Sequence, residues 1–170
     1  MKLGIRESTF TIAFVLILGF ILFIGFYPII SYRILSDITG VPPEGFSTIY
    51  VLDQQKRGTD YPELLVVNQN STFSVWVVVE NQMGVSQTYE ILQKVVSDTI
   101  STFPVVANVE EIYSKTLENG ETWETWATVS INETGNYAVI FELWIYNVGE
   151  EAYGFSNNYC VLKIEVVDQI

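Results

Sequence analysis

The chain has 170 residues, and its 20 acidic and 8 basic side chains give a net charge of −12 at pH 7. This negative charge repels nucleic acid and anionic lipid headgroups, so neither is an expected partner of the soluble part. The sequence has no histidine and one cysteine. An internal disulfide and a zinc site built from cysteine and histidine are therefore both excluded, and the fold must be held by its core.

A long apolar segment lies near the N-terminus. Phe10 to Ile30 contains no charged side chain. A helix of that length rises about 31 Å, which matches a bilayer core of about 30 Å. We therefore predict a transmembrane helix over residues 10–32 that contacts membrane lipid, followed by a stalk over residues 33–45.

Two alternatives for this segment stay open. A cleaved signal peptide needs small residues at the cut, but "FYPIISYRI" offers bulky ones, which favours a retained anchor. A pilin-like leader cut after Gly4 in "MKLGIRE" would instead make the helix the core of a filament.

The charges beside the helix predict its orientation. Lys2 and Arg6 lie on one side, whereas Arg33 is followed by Asp37 on the other. Positive charges favour the cytoplasmic side. We expect residues 1–9 to be cytoplasmic and the C-terminal domain to be extracellular, which makes the chain a single-pass protein of the cell membrane.

Two N-glycosylation sequons agree with that orientation. Asn70 begins an Asn-Ser-Thr tripeptide and Asn132 begins an Asn-Glu-Thr tripeptide. Both lie at predicted turns, where a glycan can be accommodated. We predict glycans on Asn70 and Asn132.

The rest of the chain, residues 46–170, consists of short β-rich runs separated by turn residues. This pattern predicts an all-β fold, an immunoglobulin-like antiparallel β-sandwich of seven to eight strands. Glu118-Asn119-Gly120 is a hairpin signal between two of the runs. The predicted runs are Phe46–Asp53, Leu64–Val67, Thr72–Glu80, Ser86–Asp98, Val109–Leu117, Glu121–Ile131, Asn136–Asn147 and Asn158–Asp168.

Several of these runs are apolar on both faces. In Asn136–Asn147 the inward set includes Phe141, yet the alternate positions include Trp144 and Tyr146. A strand with one wet face should be polar at those alternate positions. Either loops of the same chain cover these residues, or they form a docking surface for a partner. The predicted partner-binding residues are Trp76, Trp126, Trp144 and Tyr146.

Few residues offer catalytic or metal-binding chemistry. Cys160 alternates with Leu162 on one strand face and is expected to be buried and inert, since no histidine can activate it. Asp53, Asp60 and Glu63 border one loop, where calcium is the alternative to solvated charge. We predict no enzyme activity, no cofactor and no metal.

Several motifs resemble an archaeal membrane-associated family of unknown function. They are the polar glycine turn before Asp60-Tyr61-Pro62, and the "LENGETW" and "GNYAVIF" segments further on. The resemblance spans Phe46–Val167 and implies an extracellular immunoglobulin-like sandwich, with no activity to carry over. Within the corner itself, Pro62 restricts Tyr61 to an extended backbone, Tyr61 packs as a corner residue, and Asp60 bonds backbone groups of the turn.

These features favour a non-enzymatic accessory or scaffold subunit that is anchored by one helix. Its sandwich is expected to dock to a membrane protein complex. The alternative is a cell-envelope binding module for surface-layer protein or glycan, or a filament or stator component. An enzyme is the third and least favoured class.

Overall fold

The computed structural model describes residues 44–97 and 100–168, and this part of the chain is all-β. Gly45–Ile170 forms one compact unit. The predicted cytoplasmic segment, the helix over residues 10–32 and the stalk up to residue 43 lie outside the described residues. Within the described ranges, no helix is long and apolar enough to cross a membrane.

The described residues form eight strands, and each corresponds to one of the predicted runs. The last strand begins at Ala152, earlier than the predicted Asn158. Its first part was not predicted because it contains Gly154 and Asn157, which are residue types typical of turns. The strands are β1 (Phe46–Leu52), β2 (Leu64–Val66), β3 (Thr72–Gln82), β4 (Gln87–Ser97), β5 (Glu111–Leu117), β6 (Thr122–Ser130), β7 (Gly135–Asn147) and β8 (Ala152–Val167).

The strands form two sheets. Sheet A has the order β1-β3-β6, and sheet B has the order β2-β8-β7-β4-β5. All pairings are antiparallel except that of β2 with β8, which is parallel. This arrangement matches an immunoglobulin sandwich, with β1, β3 and β6 in the places of strands A, B and E, and β4, β7 and β8 in those of C, F and G. The predicted β-sandwich is confirmed.

The predicted hairpin at Glu118-Asn119-Gly120 is wrong. The strands on either side of it pair elsewhere, β5 with β4 and β6 with β3, so the turn crosses from one sheet to the other. It is a tight turn, with Gly120 at φ 81°. Its backbone bonds to β3, because Gly120 N donates to Asn81 O at 2.6 Å and Asn81 N donates to Glu121 O at 3.0 Å. The Asn-Gly signal therefore predicted the turn but not the pairing, which tertiary contacts decide.

The core lies between the two sheets and follows the predicted alternation. In β3, Val75, Val77 and Val79 are fully buried. Phe141 and Leu143 of β7 meet them from sheet B. Full burial of such a side chain contributes about 1.5–3 kcal/mol, so these strands hold the sandwich together without a disulfide.

The corner before β2 is anchored by Tyr61, as predicted. Its hydroxyl donates to Val51 O at 2.6 Å, and its ring packs against the core. The role expected of Asp60 belongs instead to Asp53. The Asp53 carboxylate accepts the N–H groups of Gln55 and Arg57, each at 2.8 Å. Asp53 follows β1 directly and so lies within reach of the turn's backbone.

Candidate partner-binding surfaces

The predicted docking residues lie in two different sheets. Trp76 of β3 faces Trp126 of β6 in sheet A, whereas Trp144 and Tyr146 are both in β7 of sheet B. They therefore form two separate surfaces and not one. Alternation along a strand indicates which side chains point outward, but it does not indicate to which sheet the strand belongs.

On sheet A the chain covers part of its own aromatic pair. Trp76 and Trp126 make an edge-to-face contact with ring centroids 4.7 Å apart. Lys56 Nζ lies 4.6 Å from the Trp76 ring centroid and pairs with Glu124 at 2.5 Å. This cation–π contact covers one face of Trp76. Trp126 is left 43% exposed.

On sheet B the aromatic residues are more numerous and contact one another. Trp144 pairs with Phe155 across the β7–β8 ladder, with ring centroids 5.8 Å apart, and Tyr146 pairs with Tyr153 at 5.2 Å. These rings lie on the side opposite the core. We call the whole set the sheet B aromatic surface, and its members are Phe103, Trp144, Tyr146, Tyr153, Phe155 and Tyr159.

An irregularity in β8 brings Phe155 and Tyr159 together. The β7–β8 register shifts between Glu142 and Trp144. Ser156 Oγ donates to Leu143 O at 2.7 Å at this point. In a regular strand, residues four apart are separated by about 13 Å. The rings of Phe155 and Tyr159 have centroids only 6.5 Å apart, so the irregularity joins the Trp144–Phe155 pair to the Tyr159–Phe103 pair.

Residues 100–110, between β4 and β5, bond to the outer side of sheet B beside this surface. Val105 N donates to Glu142 Oε1 at 2.5 Å, and Lys94 Nζ donates to Val105 O at 2.6 Å. Phe103 of the same segment stacks on Tyr159 with centroids 3.5 Å apart. The outward-facing residues Ala138, Ile140 and Glu142 are fully buried here. Cover by a loop of the same chain thus accounts for the burial of Glu142, whereas Trp144 and Tyr146 remain partly exposed.

The described domain carries more acidic than basic side chains. Lys56, Arg57, Lys94 and Lys115 each form an ion pair with a carboxylate. Around the sheet B aromatic surface, Glu90 is the β4 neighbour of Trp144. Glu150 and Glu151 are exposed in the β7–β8 turn. Aromatic rings beside carboxylates favour a cationic partner.

The described residues offer little for catalysis or metal binding. They contain no group of three or more acidic or cysteine side chains placed to hold a metal ion. In the loop considered for calcium, the Arg57 guanidinium pairs with both Asp53 and Asp60. Cys160 packs against the core, and burial raises the pKa of its thiol to about 11. A thiol with that pKa is a poor nucleophile at neutral pH.

The two predicted glycosylation residues are both exposed. Asn70 ends the turn after β2, where its N–H donates to Val66 O at 2.9 Å. Asn132 lies between β6 and β7. Both predicted sites are therefore at turns with accessible side chains.

No family model matches the chain, and no curated protein matches it. A CARDB domain from Pyrococcus furiosus aligns with TM-score 0.49 and 13% identity, over 74% of this chain and 90% of that one. A β-glucosidase from Listeria innocua aligns with TM-score 0.50 and 14% identity, over 72% of this chain. The aligned part is 16% of the β-glucosidase, so most of that enzyme has no counterpart here. At this level of identity, the likeness shows the β-sandwich fold alone.

Proposed function

We propose that this chain is a membrane-anchored, non-enzymatic accessory or scaffold subunit. Its outward-facing β-sandwich docks to a membrane protein complex through the sheet B aromatic surface. The observation that carries this proposal is the row of aromatic rings along β7 and β8, outside the core, most of which contact one another.

The geometry of these rings suits an interface. Large aromatic side chains dominate binding energy at protein interfaces, where truncating one commonly costs about 2 kcal/mol or more. Trp144 is held in place because its indole Nε1 donates to the buried Glu142 Oε2 at 3.2 Å. Side chains that are ordered before binding lose less entropy on association, which favours affinity.

The charge of the domain supports a partner with a basic face. The carboxylates near the aromatic rings would attract lysine and arginine side chains of the partner. Attraction of this kind speeds association and weakens as salt is added. We therefore expect docking to be salt-dependent, with the aromatic contacts supplying most of the affinity.

The anchor is the second part of the proposal. The apolar segment over residues 10–32 supports a single-pass protein of the cell membrane, with residues 1–9 in the cytoplasm and the sandwich outside the cell. Anchoring raises the local concentration of the sandwich beside other membrane proteins, so even a modest interface is populated.

A cell-envelope glycan is a second candidate for the same surface. Exposed aromatic rings such as Tyr159 can stack on the apolar faces of sugar rings, and an uncharged saccharide is not repelled by the acidic domain. The rings of Trp144, Phe155 and Tyr159, which contact one another in that order, would then act as a platform for several sugar units. Soluble envelope polysaccharide competing with docking would favour this reading over a protein partner.

The test uses the full chain in native membranes, purified in mild detergent and followed by mass spectrometry of the partners. We expect Trp144→Ala to lose the partner, and Trp126→Ala on sheet A to retain it. Circular dichroism and thermal unfolding show whether each variant is folded, and Phe155→Ala provides a second variant if Trp144→Ala is not. A wild-type chain that purifies as a lone monomer, or equal retention of the partner by all these variants, would overturn the proposal.

A further inference from the structure

The register of sheet A brings the two sequons together. Thr72 of β3 pairs with Ser130 of β6. The ladder continues one step further, because Ile131 N donates to Ser71 O at 2.9 Å. Asn70 and Asn132 are the next residues beyond this bond on the two segments. Both acceptors therefore lie at the same end of sheet A, although they are distant in the sequence.

The compact unit begins at Gly45. Both acceptors lie at the opposite end of the sandwich from this residue. At that beginning, Phe46 pairs with Gln82 at the last position of β3. Thr72 is the first position of β3. The sequons therefore lie at the opposite end of the strand from the point where the chain enters the domain.

Next to the sequons, the outer face of sheet A is lined with hydroxyl groups. Thr72 Oγ1 lies 2.8 Å from Ser130 Oγ, and Ser74 Oγ lies 2.9 Å from Thr128 Oγ1. Hydroxyl groups both donate and accept hydrogen bonds, which suits contact with sugars. The next pair on this outer face of the ladder is Trp76 and Trp126. The distance from the sequons to this pair is six residues, or about 20 Å, which a glycan of several sugars spans.

We propose that Asn70 and Asn132 form one paired N-glycosylation site, and that their glycans lie along the outer face of sheet A as far as Trp126. This inference rests on the extracellular orientation in the proposed function. Glycans at this site cover sheet A, so the sheet B aromatic surface is the one left open for docking. Sugar rings packed against Trp126 account for the exposure of that large side chain.

The modification is a group transfer from a lipid-linked oligosaccharide. The side-chain amide nitrogen of asparagine forms a bond to C1 of the first sugar, and the bond from C1 to the lipid phosphate oxygen breaks. The phosphorylated lipid leaves with the bonding electrons, and the amide proton passes to a base of the transferase. No oxidant or reductant is needed.

The experiment expresses the full chain in a eukaryotic host that performs N-glycosylation, with glycan processing blocked so that the attached glycans are uniform. A control variant, Glu110→Thr, makes the exposed Asn108 the acceptor of a new sequon beside sheet B. We expect mass spectrometry to find glycans on Asn70 and Asn132, and also on Asn108 in the control variant.

Coverage of sheet A is measured by hydroxyl-radical footprinting. Trp126 and Tyr159 are each 43% exposed, on sheets A and B respectively, and so make a matched pair. We expect the labelling of Trp126 to rise several-fold in the double variant Asn70→Gln/Asn132→Gln relative to the glycosylated chain. The labelling of Tyr159 should not change.

The outcomes separate this inference from the proposed function. A glycan on Asn108 in the control variant, with neither Asn70 nor Asn132 modified, would overturn the paired site and leave the extracellular orientation standing. Absence of glycan from all three acceptors would overturn the orientation itself, and the inference with it. Glycans on both native sites with unchanged Trp126 labelling would show that they do not cover sheet A.

Discussion

Lys94 of β4 and Glu142 of β7 form an ion pair on the outer side of sheet B, with Nζ and Oε2 2.8 Å apart. Both side chains are buried, at 6% and 0% exposure. Glu142 also accepts bonds from Val105 N and Trp144 Nε1. The pair thus connects the covering segment, residues 100–110, to the sheet B aromatic surface. Glu142 is the single charged residue of β7, which is the signal in the sequence for a buried charge.

Breaking this pair should strongly destabilise the domain. Glu142→Ala leaves Lys94 buried without its carboxylate, and removal of one partner of a buried pair costs about 3–5 kcal/mol. Denaturant unfolding measures this cost. Lys115→Met is the matched control, because it breaks the exposed pair with Glu121 and should cost less than about 1 kcal/mol. Equal effects of the two variants would contradict the buried role of Glu142.

The corner hydroxyl of Tyr61 should have a measurable effect on stability. Tyr61→Phe removes the donor to Val51 O, and the loss of such a bond costs about 1 kcal/mol. Urea unfolding at neutral pH is the measurement. The comparison is Tyr50→Phe, whose hydroxyl donates to Glu80 at an exposed position and should contribute less. A urea midpoint of Tyr61→Phe at or above the wild-type value would show that this hydrogen bond does not stabilise the corner.

Alkaline stability should depend on Cys160. Burial raises the pKa of its thiol from 9.0 to about 11 in the folded chain. The folded state therefore favours the neutral thiol, and this contribution is complete below the unfolded pKa and is lost as the pH rises through about 11. Unfolding free energies across that range should fall less steeply in Cys160→Ala. Burial also raises the pKa values of Tyr61 and Tyr89, but both tyrosines are present in the two proteins, so their contribution cancels in the comparison.

Acid stability should depend on Asp53. Burial acts to raise the pKa of this carboxyl, but the N–H groups of Arg57 and Gln55 and the Arg57 charge together hold it below its ordinary value. The pKa of Asp53 is lower in the folded chain than in the unfolded chain, where it is about 3.9. Ionised Asp53 therefore stabilises the fold above the unfolded pKa, and this stabilisation is lost as the pH falls through the folded pKa. Asp53→Asn should flatten the acid limb of the stability profile, whereas the exposed Glu133→Gln should not. Unchanged acid unfolding in Asp53→Asn would refute this role.

Much of the sandwich follows from the sequence by itself. Alternation in β3 and β7 predicted the buried faces, because a strand turns successive side chains to opposite sides whatever its neighbours are. Turn residues such as Gly120 marked where strands end, since few other residues adopt its backbone angles at low cost. The single cysteine and the absence of histidine determined that the core, and not a disulfide or a zinc ion, holds the fold.

Only the tertiary structure decided which strands pair and which side chains meet. The turn at Gly120 crosses between sheets instead of closing a hairpin, and Trp76 and Trp144 belong to different surfaces. The tertiary structure also placed Asn70 and Asn132 at the same end of sheet A, and brought Lys94 into contact with Glu142, although each pair is far apart along the chain. Local propensity and alternation carry no information on such pairings, because these depend on how two sheets and one long loop pack together.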